Sequence, residues 1–279
     1  MMVDFWEILQ YTFFQNAIWV VLLISLLSGM IGTYIVSRKI VFIGGGITHA
    51  SFGGIGMAYY FGLSPLLGAA VFGVFSALGI EWISQKGKIR EDSAIAILWS
   101  LGMALGIIFV FMTPGYTPNL MSFLFGSILS VSSTELFYLM IFTVFVTLFF
   151  ILFFRPLINS AFDPEFASIM GVKSGFFRYT MSVLIAISIV MTIRAVGIIL
   201  VLSLFTIPQI TAMLFTRNFL KVIPLSVMFS IIGSLSGLFA AYMLDIPSGA
   251  SIVFFLIFLF LMAKIIVLLR EILYRKERS

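Results

Sequence analysis

The sequence lacks cysteine altogether, has a single histidine and is poor in charge, since charged residues make up only 10% of its 279 positions. The absence of cysteine excludes a disulfide scaffold, a Cys-ligated zinc site and an iron–sulfur cluster. Soluble domains carry about 25% charged residues, whereas 62% of this chain is hydrophobic and its mean hydropathy is +1.21. The composition therefore excludes a soluble enzyme, a nucleic-acid-binding protein and a disordered chain.

Two signatures of catalysis are also missing. The sequence contains no Gly-x-x-x-x-Gly-Lys-Ser/Thr loop for nucleotide phosphates, so we do not expect the chain to hydrolyse ATP by itself. No convincing nucleophile–base pair is present, and the single histidine, His49, lies inside an apolar segment. The chain is therefore not expected to be an enzyme, which leaves a channel, a secondary carrier or the membrane part of a larger transport machine.

Long apolar segments dominate the chain. A membrane-spanning helix needs about 20 mostly apolar residues. We predict an all-α, polytopic integral membrane protein that forms a single transmembrane domain over 1–279, with about nine spans and eight possible. The predicted spans are 17–36, 41–61, 66–83, 93–112, 136–154, 179–193, 196–215, 222–244 and 251–269.

The basic residues indicate how these spans are oriented. All Lys and Arg residues except Arg194 fall on one side of the predicted membrane or at its last span and tail. Cytoplasmic loops are enriched in Lys and Arg, so we expect an external N-terminus and a cytoplasmic C-terminus in the cell inner membrane. The net charge of +5 is then an orientation signal. The residues before the first span lack a basic n-region, so that span is expected to be retained.

The longest cytoplasmic connection, 155–178, contains the signature of a short helix. Asp163 is a favourable N-cap, and Pro164 would occupy the first helical position, where its missing N–H costs nothing. Glu165 suits the positive end of a helix, and Gly171 is a plausible C-terminal stop. We therefore predict a rigid helix of about two turns near 163–171.

This short helix has an exposed apolar side. Phe166, Ile169 and Met170 are expected to face outward from it. An apolar side of this kind fits a groove on a partner protein, but amphipathic helices also lie on lipid surfaces. The residues alone leave both alternatives open.

Six segments, in order, resemble the membrane permeases of ABC importers for zinc, manganese or iron. They are VFIGGGITHASFGG at 41–54, REDSAI at 90–95, LFGSIL at 124–129, FDPEFASIMGV at 162–172, VGIILV with the following IP at 196–208, and YMLDIPSGASIV at 242–253. The resemblance runs over about 41–266. It implies a permease that translocates a divalent transition metal into the cytoplasm and is driven by a separate ATPase.

The resemblance also implies an assembly. It implies two permease copies, usually identical, two cytoplasmic ATP-binding subunits and an extracytoplasmic metal-binding protein, with membrane lipid around them and no nucleic acid. No permanently bound cofactor is expected, because the metal ion is cargo and ATP binds the partner subunit. The segment 162–172 is similar to the family's cytoplasmic coupling helix. The coupling residues that this implies are Asp163, Pro164, Glu165, Phe166 and Gly171.

His49 is the main candidate for contact with the metal. Ionisable groups inside spans are costly, and neutral imidazole binds zinc, iron and manganese, although a structural histidine bonded to a backbone carbonyl is the alternative. Gly45, Gly53 and Gly56 share its helical stripe and leave room for a hydrated ion or for a closely packed helix. Many family members carry an aspartate where this chain has Gly45. The second ligand and the metal therefore stay open.

Three other positions are lesser candidates. Asp245, at the outer end of the span 222–244, either receives an ion or caps the next helix, with Ser248 as a rival cap. Pro208 is expected to free the carbonyl group of residue 204 and kink its span. Gln209 and its polar neighbours either line the path or satisfy such backbone groups.

Three other functions compete with the metal importer, and one of them is a membrane scaffold without a transport activity. A stand-alone secondary cation carrier needs several acids inside its spans for proton or sodium coupling, and these spans are nearly free of them. An ABC permease for a metal chelate is the second alternative, because Gly45 removes a hard oxygen ligand.

Overall fold

The computed structural model describes residues 10–114 and 128–276, and the structure in these ranges is helical, without strands. Of the segment 124–129, only the last two residues lie within the described residues. The helices are α1 Thr12–Ser37, α2 Phe42–Tyr60, α3 Pro65–Lys86, α4 Glu91–Met112, α5 Ser133–Phe162, α6 Pro164–Ile169, α7 Ser174–Val196, α8 Ile198–Leu204, α9 Ile207–Met213, α10 Phe219–Leu244 and α11 Ser248–Lys276.

The predicted all-α, polytopic class is confirmed. Each of the nine predicted spans coincides with helical structure, and seven of the described helices are long and apolar enough to cross a membrane. The two remaining segments differ for physical reasons. The segment 41–61 forms α2, whose many glycines lower its hydropathy, and the segment 196–215 is divided into α8 and α9. The predicted number of spans is therefore approximate.

The helices form two compact units. One unit contains α1, the start of α5 and the chain from Leu202 onward. The other contains the chain from Ser37 through α4, together with the chain from Val144 to Val201. His49 and the predicted coupling segment both belong to the second unit.

Helices α2 and α4 of the second unit approach each other through glycine. A Cβ atom built on Gly53 would lie 2.8 Å from the carbonyl oxygen of Gly102, and one on Gly56 would lie 2.5 Å from that of Gly106. A Cβ atom on Gly102 would in turn lie 2.5 Å from the Cα atom of Ala50. These distances leave no room for side chains, which is the small-residue packing of membrane helices. Gly53 and Gly56 therefore lie in a helix–helix contact, and their part in a metal path stays a prediction.

The predicted interruption at Pro208 is present between α8 and α9. Gln209 is fully buried, and its Nε2 donates to the carbonyl oxygens of Leu204 at 3.2 Å and Ser28 at 2.8 Å. Leu204 carries the carbonyl group that Pro208 leaves without its helical donor. The side-chain amide of Gln209 thus satisfies backbone groups, as the second alternative proposed. The function of Pro208 and Gln209 as a hinge stays a prediction.

Candidate functional site

The short helix predicted near 163–171 forms as the sequence indicates. An Asp163 carboxylate oxygen accepts a hydrogen bond from the backbone N–H of Phe166 at 2.9 Å, and Pro164 occupies the first turn of α6. Gly171 follows the helix with φ of +75°, a left-handed conformation that glycine adopts without steric cost. The predicted N-cap and C-terminal stop are therefore confirmed.

Helix α6 is held against α7 and exposes apolar side chains elsewhere. Ala167 is fully buried, and the Ser174 hydroxyl, at the start of α7, donates to the Pro164 carbonyl oxygen at 3.0 Å. The outward surface, which we call the α6 face, consists of Phe166, Ile169 and Met170, with exposed fractions of 49%, 82% and 64%. A fixed apolar surface of this kind is suited to bind a complementary groove.

His49 of α2 stacks on Trp99 of α4. The two ring centroids lie 4.3 Å apart and the ring planes differ by 8°. Both side chains are half-buried. The lone pair with which a neutral imidazole binds a metal lies in the plane of the ring, so an indole on one face does not block it. The stack therefore fixes the imidazole while leaving it competent to bind a metal.

Gly45 lies one helical turn before His49 and borders the same indole. A Cβ atom at Gly45 would lie 3.4 Å from Cζ3 of Trp99, an ordinary contact distance. Within residues 10–114 and 128–276, no group of three or more His, Asp or Glu residues is arranged to hold a metal ion. The described part of one chain thus gives His49 an aromatic wall and no complete ligand set.

Asp245 has a different structural position from the one its capping alternative assumed. It ends α10 in the left-handed conformation, with φ of 52° and ψ of 46°, and its N–H donates to the Ala241 carbonyl oxygen. Helix α11 begins only at Ser248. The prediction that Asp245 caps this next helix is therefore wrong, because residue 245 lies too far before its start. Asp245 is exposed, and its binding of an incoming ion stays a prediction.

A buried group of charges, which the sequence analysis did not single out, joins several helix ends. Glu81 of α3 is 2% exposed, and its carboxylate lies 2.7 Å from Nε of Arg178 and 3.9 Å from Nη1 of Arg38. Nη2 of Arg38 donates to Oε1 of Glu91 at 3.0 Å. The Ser182 hydroxyl donates to Glu81 Oε2 at 3.3 Å. We refer to Arg38, Glu81, Glu91 and Arg178 as the charge cluster.

Glu81 carries a signal that the sequence already contained. It lies inside the predicted span 66–83, and an ionisable residue within a span is a candidate by that fact alone. The predicted spans are therefore nearly, but not completely, free of acids, and Glu81 is the exception in the span 66–83. The positive charges of Arg38 and Arg178 balance the negative charges of Glu81 and Glu91. The cluster therefore resembles a network of ion pairs more than a proton-binding site.

Comparison with known proteins places the chain in a family. It matches the ABC 3 transport family over residues 10–267. It is 36% identical over 247 residues to the manganese transport system membrane protein MntC of Halalkalibacterium halodurans, covering 88% of this chain and 85% of that protein. It is 33% identical over 272 residues to MntC of Listeria monocytogenes, covering 98% and 97%.

A solved structure is similar over the same extent. PsaBC from Streptococcus pneumoniae, in complex with Fab, matches with a TM-score of 0.81 and 32% sequence identity, covering 94% of this chain and 95% of that chain. These similarities identify a membrane transport permease and not an enzyme. The chain therefore belongs to the ABC 3 transport family.

Proposed function

We propose that this chain is the membrane-spanning subunit of an ABC importer that carries a divalent transition metal into the cytoplasm. The relatives described above include manganese transport permeases, which supports a metal as cargo. The sequence contains no phosphate-binding loop, so ATP hydrolysis is assigned to a separate subunit. The observation that carries the proposal is the α6 face, an exposed apolar surface that fits a groove on such a subunit.

The α6 face favours a protein partner over lipid. Helices that lie on membranes usually carry Lys or Arg on their polar side, whereas α6 has the sequence PEFASI and contains Glu165 as its only charge. Its cap at Asp163 and its bond to Ser174 hold it in place before any partner binds. A preformed surface avoids part of the ordering cost of association. We therefore assign the α6 face to a groove on the ATP-binding subunit.

The proposal includes the rest of the assembly. Two copies of the chain, each acting as a single permease domain over 1–279, pair in the cell inner membrane and contact two ATP-binding subunits from the cytoplasmic side. The distribution of Lys and Arg supports this orientation. An extracytoplasmic metal-binding protein delivers the ion, and Asp245 is the candidate for first contact. ATP binding and hydrolysis then move the permease pair by alternating access.

In this proposal the cargo passes beside His49. A half-buried imidazole inside a span is a ligand for zinc and iron as well as manganese, and its stack on Trp99 keeps it in one orientation. Gly45 supplies no ligand of its own. The site therefore depends on a second ligand from another helix, from water or from the other copy of the chain.

The proposal is tested by assembly and transport in one system. The chain is co-expressed with its ATP-binding subunit, purified as a complex, reconstituted in liposomes and supplied with the extracytoplasmic metal-binding protein. We expect uptake of manganese, zinc or ferrous ions that requires hydrolysable ATP and stops with a non-hydrolysable analogue. Gradient-driven uptake by the chain alone would contradict the proposal and support a secondary carrier. Uptake of a metal chelate in place of free ions would contradict the assignment of the cargo.

Because Gly45 has no side chain, a substitution at this position gives a prediction about metal selectivity. Gly45→Asp places a carboxylate one turn from His49, and its Cβ fits beside the indole at 3.4 Å. Carboxylate oxygen suits manganese better than imidazole does, so we expect the ratio of manganese to zinc uptake to rise about tenfold. The ratio is measured with both isotopes in the same liposomes. Gly45→Asn is the matched control, and an equal ratio in the two variants would argue against a metal beside residue 45.

A further inference from the structure

The charge cluster connects the coupling helix to the candidate metal site by a short series of contacts. The carbonyl oxygen of Pro164 in α6 accepts the hydrogen bond from Ser174, the first residue of α7. Arg178, one turn further along α7, forms an ion pair with Glu81. One hydrogen bond and one turn of α7 thus separate α6 from the arginine that pairs with Glu81.

From Glu81 the connection continues to the helices that carry the aromatic stack. Arg38 contacts both Glu81 and Glu91, and it lies in the short connection between α1 and α2, four positions before the first residue of the helix that carries His49. Glu91 is the first residue of α4, the helix of Trp99. The two helices on which His49 and Trp99 meet are thus both linked at one end to the charge cluster.

Arg38 lies between the two acids of the cluster and is closer to one of them. Arg38 lies 3.0 Å from Glu91 but 3.9 Å from Glu81, whereas Arg178 lies 2.7 Å from Glu81. A shift of about 1 Å is enough to exchange the closer partner of Arg38, and discrete exchanges of this kind accompany conformational switching. Buried ion pairs are also weak contributors to stability compared with apolar packing, so stability alone does not account for these charges.

We propose that Glu81 is a positioning residue that transmits the movement of α6 to the helices holding the His49–Trp99 stack. This inference rests on the proposed function, because the movement comes from the ATP-binding subunit. Glu81 does not touch the cargo. It acts by keeping Arg178 of α7 and Arg38 before α2 in register, so that metal release is tied to ATP hydrolysis.

The test measures metal ions imported per ATP hydrolysed by the complete transporter in liposomes. Glu81→Gln with Arg178→Gln removes one acid and one base and leaves the pair of Arg38 and Glu91 in place. We expect this ratio to fall about tenfold while ATP hydrolysis continues, since coupling between sites is typically worth 5- to 150-fold. Loss of folded complex lowers both rates equally and cancels in the ratio.

A second set of variants separates an effect on folding from an effect of the lost charge. Arg178→Gln is expected to lower the ratio, whereas Arg178→Lys keeps a cation beside Glu81 and is expected to restore most of it. The matched control is Arg90→Gln with Asp92→Asn, which removes an exposed ion pair between the N-cap residue of α4 and a residue in its first turn. The two side chains are 85% and 51% exposed. This control is expected to change the ratio by less than about twofold.

The outcomes separate this inference from the proposed function. If the wild-type complex imports metal and the variants of Glu81 and Arg178 keep its ratio of metal ions imported per ATP hydrolysed, only the inference about Glu81 is overturned. A wild-type chain that neither binds an ATPase nor imports metal with ATP would overturn both. A lowered ratio in Arg178→Gln, restored in Arg178→Lys and absent from the exposed-pair control, supports the role of Glu81.

Discussion

Replacing Glu165 by Ala and Phe166 by Lys is expected to abolish metal-dependent stimulation of ATPase activity and to release the ATP-binding subunit from the permease. Phe166 contributes the large aromatic ring of the α6 face and is 49% exposed. Loss of an aromatic anchor at an interface costs about 2 kcal/mol or more, which is about 30-fold in Kd. Lysine adds a charge that the apolar groove leaves unpaired. Co-purification and ATPase assays of the reconstituted complex measure both effects.

The folding of α6 should survive this change. Asp163 caps the helix through the backbone N–H of Phe166, and a lysine retains that group. Ser168→Lys is the matched control, because residues two positions apart on a helix do not share a face and Ser168 is also exposed. Full stimulation in the variant of Glu165 and Phe166 would contradict the docking role and favour a helix that lies on lipid.

Helix α6 could be predicted because its determinants are local in the sequence. The N-cap, the proline in the first turn and the terminal glycine lie within 163–171, and each acts on backbone groups a few residues away. The same holds for the interruption at Pro208, whose freed carbonyl group at residue 204 follows from helix geometry. Rules that concern one turn of helix do not require knowledge of the fold.

The site was predictable only in part because its contacts join distant segments. His49 was identified by its position inside a span, but the partner that covers its face, Trp99, comes from another helix. The glycine stripe was visible, yet only the structure shows that Gly53 and Gly56 face the backbone of α4. Glu81 is a single acid within an apolar segment, so hydropathy alone does not reveal it. Its role depends on its contacts with Arg38 and Arg178, which come from other parts of the chain.

The number of spans was approximate because hydropathy does not describe packing. Helix α2 is not among the seven helices that meet the hydropathy criterion for a membrane span, and its glycines, which contribute little hydropathy, serve its close contact with α4. The segment 196–215 is one apolar run in sequence, but Pro208 interrupts the helix, so the segment divides into α8 and α9.

Removing the imidazole with His49→Ala is expected to lower metal uptake about 10- to 100-fold, the effect that changes around a metal site typically have. The protein should remain folded. Loss of the stack with Trp99 costs about 0.5–1.5 kcal/mol, a small part of the 5–15 kcal/mol that stabilises a typical domain. Uptake of isotopic metal in liposomes, normalised to the amount of intact complex, is the measurement.

Trp99→Phe is the control for the stack, because it keeps an aromatic ring against the imidazole and should retain most of the uptake. The complex with His49→Ala should still bind its ATPase and hydrolyse ATP, since the α6 face is unchanged. The variant of Glu165 and Phe166 should lose both assembly and uptake. Metal accumulation that is unchanged in His49→Ala at normal protein level would remove His49 from the path, whereas loss of ATPase binding in the same variant would show that the two sites are not independent.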